Sequence, residues 1–340
     1  MSDTSAPPTL RRFWVPIAVF TGLSVFGLRQ PLSVTEAVFL TRSELPLGDL
    51  LLFPYSPLYL VLLRLWSAIS SDPLWLRLLG VFLGIGGFAL VPRVLRGLGG
   101  VHATAGAMWI LALMPFFVDQ ARSITPSALA FLCTTAAIIC FLEFLRAGEL
   151  PWIAGWVVAT LMSLFVHGGL YYLALVLCLA MAFYRERYHG RQRVWWLAQI
   201  PPLTLFAVLS GAQFEHFIAH RIADVNSIAA AAAQWGMLAT QQSARPWVLS
   251  SGLLLAFLVA SGLYACRALH RDLRHGLVVL GAGAPCVIWL AWLPHDFYAV
   301  AALPFLATLA SMGIRLYPLW GRQLLWSALA VTYAFSYWFA

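Results

Sequence analysis

Acidic and histidine side chains stand at four points where long apolar segments of this sequence end, and they are the groups most able to carry chemistry. They are Glu36, Asp119, His167 and the pair His295 and Asp296. A carboxylate or an imidazole can accept a proton from a hydroxyl group or hold that group in place. Since each would stand at a helix end, we expect all of them to face one cavity. Each could also be a residue that is simply solvated at a membrane surface, which costs little free energy there.

Asp119 and Arg122 lie three residues apart in the stretch MPFFVDQARSI, and therefore on one face if this stretch is helical. The forked N–H donors of an arginine suit a phosphate group, and the neighbouring carboxylate could orient a hydroxyl or hold a metal ion. The alternative is an ion pair at the membrane interface that contributes little free energy. The sequence leaves both interpretations open.

A second group of residues has the spacing of metal ligands on one helical stripe: His216, His220 and Asp224. The more common meaning of such a stripe is a polar face toward water, and no further ligand stands close by in the sequence. This helix could also lie over the cavity as a mobile cover. A divalent metal remains a weak possibility, and no cofactor is predicted with certainty.

The elements that position these groups are membrane-spanning helices. Of the 340 residues, 61% are hydrophobic and 10% are charged, which excludes a water-soluble domain. The net charge of +8 comes from arginines in short clusters between apolar runs, so it does not indicate nucleic acid. The five cysteines all lie within apolar runs and form no CxxC pair, which predicts neither a disulfide nor a zinc site.

Eleven apolar segments are long enough to cross a membrane, in a single transmembrane domain over residues 1–340. The arginine clusters predict a cytoplasmic N-terminus and an outer side that carries most of the acids. The polar N-terminus and the lack of an A-x-A-like cleavage site predict a retained first span. Two long outer loops are expected, over residues 29–74 and 213–246. Residues 55–69 are apolar but short and carry Arg64, so we predict an interfacial helix there. The predicted spans are 12–28, 75–95, 102–118, 124–145, 151–167, 168–184, 194–212, 247–266, 276–294, 297–315 and 322–339.

The order of motifs along nearly the whole chain resembles the GT-C superfamily of membrane glycosyltransferases, in particular the bacterial proteins similar to family 39 protein mannosyltransferases and the aminoarabinose transferases. Thr35, Tyr55 and Phe297 stand where that family has Asp, His and Arg. The family often has a soluble C-terminal domain, which we expect this chain to lack. The matching segments are TEAVFL at 35–40, YSPLYL at 55–60, LRLLGVFLGIGGFALVPRVLRGLGG at 76–100, DQARSI at 119–124, VHGG at 166–169 and FYAVAALPFLATLA at 297–310.

The resemblance implies an all-α, GT-C-like fold and the transfer of a sugar from a polyprenyl-phosphate donor to an acceptor hydroxyl, at the outer face of the bacterial cytoplasmic membrane. Glu36, at the acidic motif, is implied as the general base, and Asp119 as the group that orients the acceptor or holds a metal. The donor phosphate would meet Arg122, Arg64 and Arg77. The residues implied to line the sugar or phosphate region are Tyr55, Tyr59, His167, His295 and Tyr298.

Two other functions remain open. A catalytically impaired GT-C-like protein could bind polyprenyl phosphate or scaffold a cell-envelope complex, which the replacement of the family's Asp by Thr35 favours. A lipid transporter is the other alternative, although the spans hold few charges at mid-depth and have no obvious inverted repeat. The partners expected in every case are membrane lipid and a lipid-linked sugar or its carrier, and an envelope protein is a further candidate partner. The sequence does not identify the acceptor.

Overall fold

The computed structural model confirms the predicted all-α class: the residues that it describes form helices, turns and bends, with no strand among them. These residues are 13–26, 28–52, 56–167, 170–183, 189–209, 246–266, 276–284 and 296–338. The labelled helices are α1 Trp14–Val25, α2 Val34–Ser43, α3 Leu47–Leu52, α4 Pro57–Ser67, α5 Pro73–Leu113, α6 Pro115–Arg122, α7 Ser127–Ala147, α8 Leu150–Val166, α9 Tyr171–Phe183, α10 His189–Ala198, α11 Pro246–Ala265, α12 Asp296–Ile314 and α13 Leu319–Trp338. Residues 200–209 and 276–284 are helical as well.

Two of the described helical segments are long and apolar enough to cross a membrane by themselves, Pro73–Leu98 and Ser127–Ala147. A third candidate consists of Ala103–Leu113 and Pro115–Arg122, which meet at a bend of 60°. Several shorter apolar helices accompany them. This content is that of a polytopic membrane protein, as the composition predicted.

The break inside α5 occurs at Gly100, between two of the predicted spans. Its φ of +73° lies in the left-handed region, which glycine adopts without the steric penalty of a Cβ. The chain therefore leaves one apolar segment and begins the next at this residue. Gly148, with φ +76°, ends α7 in the same way, and its N–H donates to the carbonyl oxygen of Phe144 over 2.8 Å.

The first predicted outer loop contains three short helices, α2, α3 and α4. Within the segment 55–69, Pro57–Ser67 form α4, so the predicted helix is present, and its position at the membrane interface stays a prediction. Trp66 at the end of α4 and Trp75 at the start of α5 stack with ring centroids 4.5 Å apart. The indole N–H of each donates to the main-chain carbonyl of the other, over 2.8 and 3.2 Å. These contacts fold α4 back against α5.

Candidate functional site

The local structure around Glu36 begins with a helix cap. Ser33 precedes α2, and its hydroxyl accepts a hydrogen bond from the N–H of Glu36 over 3.2 Å. The Glu36 carboxylate returns to accept from the N–H of Ser33 over 2.8 Å. This reciprocal arrangement is a capping box, which satisfies two N–H groups that a helix start otherwise leaves unpaired. It also turns the carboxylate inward, where Glu36 is only 3% exposed.

Arg77, in the first turns of α5, is the partner of Glu36. Its Nε donates to Oε1 of Glu36 over 2.9 Å and its Nη2 donates to Oε2 over 2.8 Å. The remaining N–H groups donate to main-chain carbonyls, Nη1 to Leu28 over 2.7 Å and to Gln30, and Nη2 to Pro31 over 3.0 Å. A guanidinium has five N–H donors. All of them are therefore used within the protein, and Arg77 is only 4% exposed.

The Glu36 carboxylate accepts a fourth hydrogen bond from the N–H of Ile124, over 3.1 Å, in addition to the two from Arg77 and the one from Ser33. Burial by itself raises the pKa of this carboxyl. The hydrogen bonds from Arg77, Ser33 and Ile124, together with the positive charge of Arg77, outweigh that effect and hold the pKa of Glu36 below its ordinary value. Glu36 is therefore an anion with every favourable acceptor position in use.

Helix α6 lies directly against the face of α5 that carries Arg77. Gly80 and Gly84 follow Arg77 at spacings of three and seven residues, which places all of them on one helical face. A Cβ added at Gly80 would lie 2.7 Å from the carbonyl oxygen of Ala121 and 2.9 Å from that of Ser123. A Cβ at Gly84 would lie 2.8 Å from the Cβ of Ala121. The glycines thus permit a backbone approach that a larger residue would block.

Asp119 and Arg122 stand on this closely packed end of α6, as the spacing predicted. Nε of Arg122 donates to Oδ1 of Asp119 over 2.9 Å, and Nη2 lies 2.8 Å from the same oxygen in an ion pair. In the part of the chain that the structure describes, the other oxygen, Oδ2, accepts no hydrogen bond, and Nη1 of Arg122 donates none. The side chain of Asp119 is 25% exposed and that of Arg122 is 12% exposed. Asp119 also lies close enough to Arg77 for an electrostatic interaction.

Tyr59 of α4 is fully buried, and its ring meets that of Phe39 edge to face at 5.9 Å. Its hydroxyl has no hydrogen-bond partner among the described residues. Burial, and to a lesser degree the negative charge of Glu36, raise the pKa of Tyr59 above its ordinary value. Ser56, which sequence reasoning did not single out, has a left-handed φ of +59° and a second buried hydroxyl, for which the described part of the chain supplies no partner. Such hydroxyls are costly to bury unpaired, so polar groups of a ligand would be favourable here.

Only some of the other predicted site residues lie within the described ranges. Arg64 is exposed on α4 and donates to the carbonyl of Leu45. His167 is buried where α8 ends, and α8 packs against α4. Among the described residues, no three His, Cys, Asp or Glu side chains are grouped so that they could hold a metal ion. Tyr298 lies within α12. The predicted residues that fall outside the described ranges are Tyr55, His216, His220, Asp224 and His295.

Comparison by sequence finds no matching family model and no matching characterised protein. Comparison by structure finds ArnT from Cupriavidus metallidurans bound to undecaprenyl phosphate, with a TM-score of 0.62 and 17% identity over 92% of this chain and 61% of that chain. The chain has a GT-C fold.

Other solved proteins share this GT-C fold. The oligosaccharyltransferase AglB from Archaeoglobus fulgidus, in complex with an inhibitory peptide and a dolichol-phosphate, aligns with a TM-score of 0.57 and 12% identity over 91% of this chain and 51% of that chain. An Archaeoglobus fulgidus oligosaccharyltransferase tethered with an acceptor peptide aligns with a TM-score of 0.56 and 12% identity over 89% of this chain and 49% of that chain. The chain therefore spans about half to three fifths of the length of these proteins.

Proposed function

We propose that the protein transfers a sugar from a polyprenyl-phosphate donor to an acceptor hydroxyl at the outer face of the bacterial cytoplasmic membrane, with its N-terminus in the cytoplasm. The observation that carries the proposal is the partly open Asp119–Arg122 pair on α6, packed beside the buried Glu36–Arg77 pair within a GT-C fold. Solved proteins of this fold bind undecaprenyl phosphate or dolichol-phosphate, which supports a lipid-linked donor.

The reaction requires two kinds of group. The acceptor oxygen forms a bond to the anomeric carbon of the sugar while the bond from that carbon to the phosphate oxygen breaks. A carboxylate must take the proton that the acceptor hydroxyl loses, and positive charge must stabilise the departing polyprenyl phosphate. Asp119 has an oxygen, Oδ2, that can accept this proton, and Arg122 has an N–H group, on Nη1, that can bind the phosphate.

The interpretation of Glu36 as the general base remains a prediction, and its geometry favours a different role. A base needs an accessible lone pair, whereas the Glu36 carboxylate already accepts four hydrogen bonds and has a lowered pKa. Arg77 likewise could bind a phosphate only after it had released one of its present acceptors. We therefore assign the base to Asp119 and the main phosphate contact to Arg122. The further proposed substrate contacts are Arg64, Tyr55, Tyr59, His167, His295 and Tyr298.

A second candidate is a GT-C-like protein that binds polyprenyl phosphate, or scaffolds an envelope complex, without catalysis. It is favoured by Thr35, which stands where the family has an acid, and by the engagement of Glu36 in an ion pair.

The test uses purified full-length protein in nanodiscs, with radiolabelled polyprenyl-phosphate sugars and a panel of envelope acceptors that includes lipids, glycans and proteins. Binding of undecaprenyl phosphate is measured in parallel. Transfer to any acceptor supports the enzyme. Binding without transfer from any donor contradicts the enzyme and supports the scaffold, and the absence of both contradicts both proposals.

A further inference from the structure

We infer that Glu36 and Arg77 are positioning residues, which fix the end of α6 so that Asp119 and Arg122 keep one orientation toward the substrate. This inference rests on the proposed function. It assigns to Glu36 and Arg77 a role other than the base and the phosphate ligand implied by the sequence motifs.

The first step of the argument is that Arg77 joins α5 to the chain that leads into α2. The carbonyl groups of Leu28, Gln30 and Pro31 all point to its guanidinium. Because these residues are not helical, their conformation is otherwise held by few main-chain hydrogen bonds. Arg77 therefore sets where Ser33 and Glu36 begin α2.

The second step is that Glu36 connects the start of α2 to the turn that follows α6. It accepts from the N–H of Ile124, which lies two residues beyond Arg122, in the turn between α6 and α7. That N–H comes directly after Ser123, whose carbonyl oxygen faces Gly80. The Glu36 carboxylate thus fixes the turn after α6, which also packs against α5. Asp119 and Arg122 belong to the last helical turn of α6, directly before it.

The third step concerns why charged groups serve this purpose. A buried ion pair is not a strong source of stability, because removing two charges from water offsets much of their attraction. Apolar side chains of similar size could hold the segments together equally well. They would not fix direction, whereas the hydrogen bonds of Glu36 and Arg77 specify the orientation of three separate stretches of chain.

The experiment compares Glu36→Gln, Arg77→Lys and Arg77→Gln in the full-length protein, with Arg93→Gln as the control because Arg93 is an exposed arginine of the same helix. The first measurement does not depend on sugar transfer. Ser123→Cys is introduced after the five native cysteines have been replaced, and its rate of maleimide labelling reports how tightly the turn after α6 is held. The second readout is kcat and KM for the radiolabelled donor as a function of pH.

We expect labelling at position 123 to become about tenfold faster in Glu36→Gln and Arg77→Gln, because the turn opens more often when its hydrogen bonds are lost. Arg77→Lys should lie between these variants and the wild type, since a lysine keeps three of the donors. Arg93→Gln should leave the rate unchanged. In Glu36→Gln, kcat should fall more than KM changes, and the decline in rate at acid pH should persist, because the proposed base, Asp119, is still present.

Two results would overturn the inference. The first is an unchanged labelling rate in Glu36→Gln, which would mean that the pair does not hold the turn. The second is loss of the decline at acid pH in Glu36→Gln, which would identify Glu36 itself as the base. If labelling accelerates as expected but the wild type transfers no sugar, the pair does fix the turn and the proposed function is what has failed.

Discussion

Glu36 and Arg77 are 41 residues apart in the sequence and meet through two parallel hydrogen bonds of 2.9 and 2.8 Å. Asp119, the other carboxylate of the site, is held by Arg122 through one oxygen only. The two acids therefore differ in what they can do. Glu36 is buried and accepts four hydrogen bonds, while Asp119 is 25% exposed and keeps an oxygen that accepts no hydrogen bond from the described residues.

Acidification should lower the stability of the wild-type protein more than that of Glu36→Gln. The pKa of Glu36 in the folded protein lies below its ordinary value of 4.5. Its contribution to stability is therefore complete above pH 4.5 and is lost as the pH falls through the folded-state pKa, because the unfolded chain binds the proton more readily. The thermal midpoint of the wild type in detergent should exceed that of Glu36→Gln by a constant amount between about pH 5 and 7, and this difference should shrink in stronger acid. A difference that stays constant down to about pH 3 would contradict this account.

Ser33→Ala should destabilise the protein by about 1 kcal/mol, because the Ser33 hydroxyl accepts from the N–H of Glu36 in the first turn of α2. Thr41→Ala is the matched control. The Thr41 hydroxyl lies on the same helix, is exposed and donates only to the carbonyl of Ala37. Thermal midpoints in detergent would measure the stability of both variants. An equal decrease of the midpoint in the two would contradict a stabilising role for the Ser33 cap.

Gly80→Ala should displace α6 from α5, because the new methyl group would lie 2.7 Å from a main-chain oxygen that cannot rotate away. Overpacking of this kind costs about 1 to 3 kcal/mol. Gly86→Ala is the control on the same helix, since its Cβ would meet only the side chain of Leu132, at an ordinary 3.8 Å. Sugar transfer should fall in the first variant and stay at the wild-type level in the second. Full activity in Gly80→Ala would show that the close approach of α5 and α6 is not needed.

Tyr59→Phe should leave stability unchanged or increase it, because the variant removes a buried hydroxyl that none of the described residues pairs with and that costs about 1 to 3 kcal/mol to bury. If Tyr59 contacts the donor, the same change should raise KM by about fivefold, which corresponds to one lost hydrogen bond. Thermal midpoints and donor titrations would separate the two effects. A loss of stability would mean that the hydroxyl has a structural partner in solution.

Much of the fold followed from the sequence, because composition and the length of the apolar runs suffice to predict a helical membrane protein. A helix within 55–69 was also predictable, and the structure has one over Pro57–Ser67. The pairing of Asp119 with Arg122 was predictable, since residues three apart on a helix are neighbours.

The partner of Arg77 was not predictable in this way. Its bond to Glu36 depends on how the chain before α2 folds over α5, and nothing local in the sequence encodes that path. One signal of the role of Glu36 is present in the sequence. Ser33 and Glu36 have the Ser-x-x-Glu spacing of a capping box, which already indicates that Glu36 is occupied at a helix start. Gly80 and Gly84 likewise have the spacing that permits close packing of membrane helices.

The most direct test of the central claim is the initial rate of sugar transfer from a radiolabelled polyprenyl-phosphate donor, measured for Asp119→Asn and Glu36→Gln beside the wild type. Loss of a general base lowers kcat by about 10²- to 10⁴-fold. We predict a loss of this size in Asp119→Asn, with undecaprenyl phosphate still bound, and a smaller loss in Glu36→Gln. Transfer that survives Asp119→Asn but is abolished by Glu36→Gln would contradict the assignment.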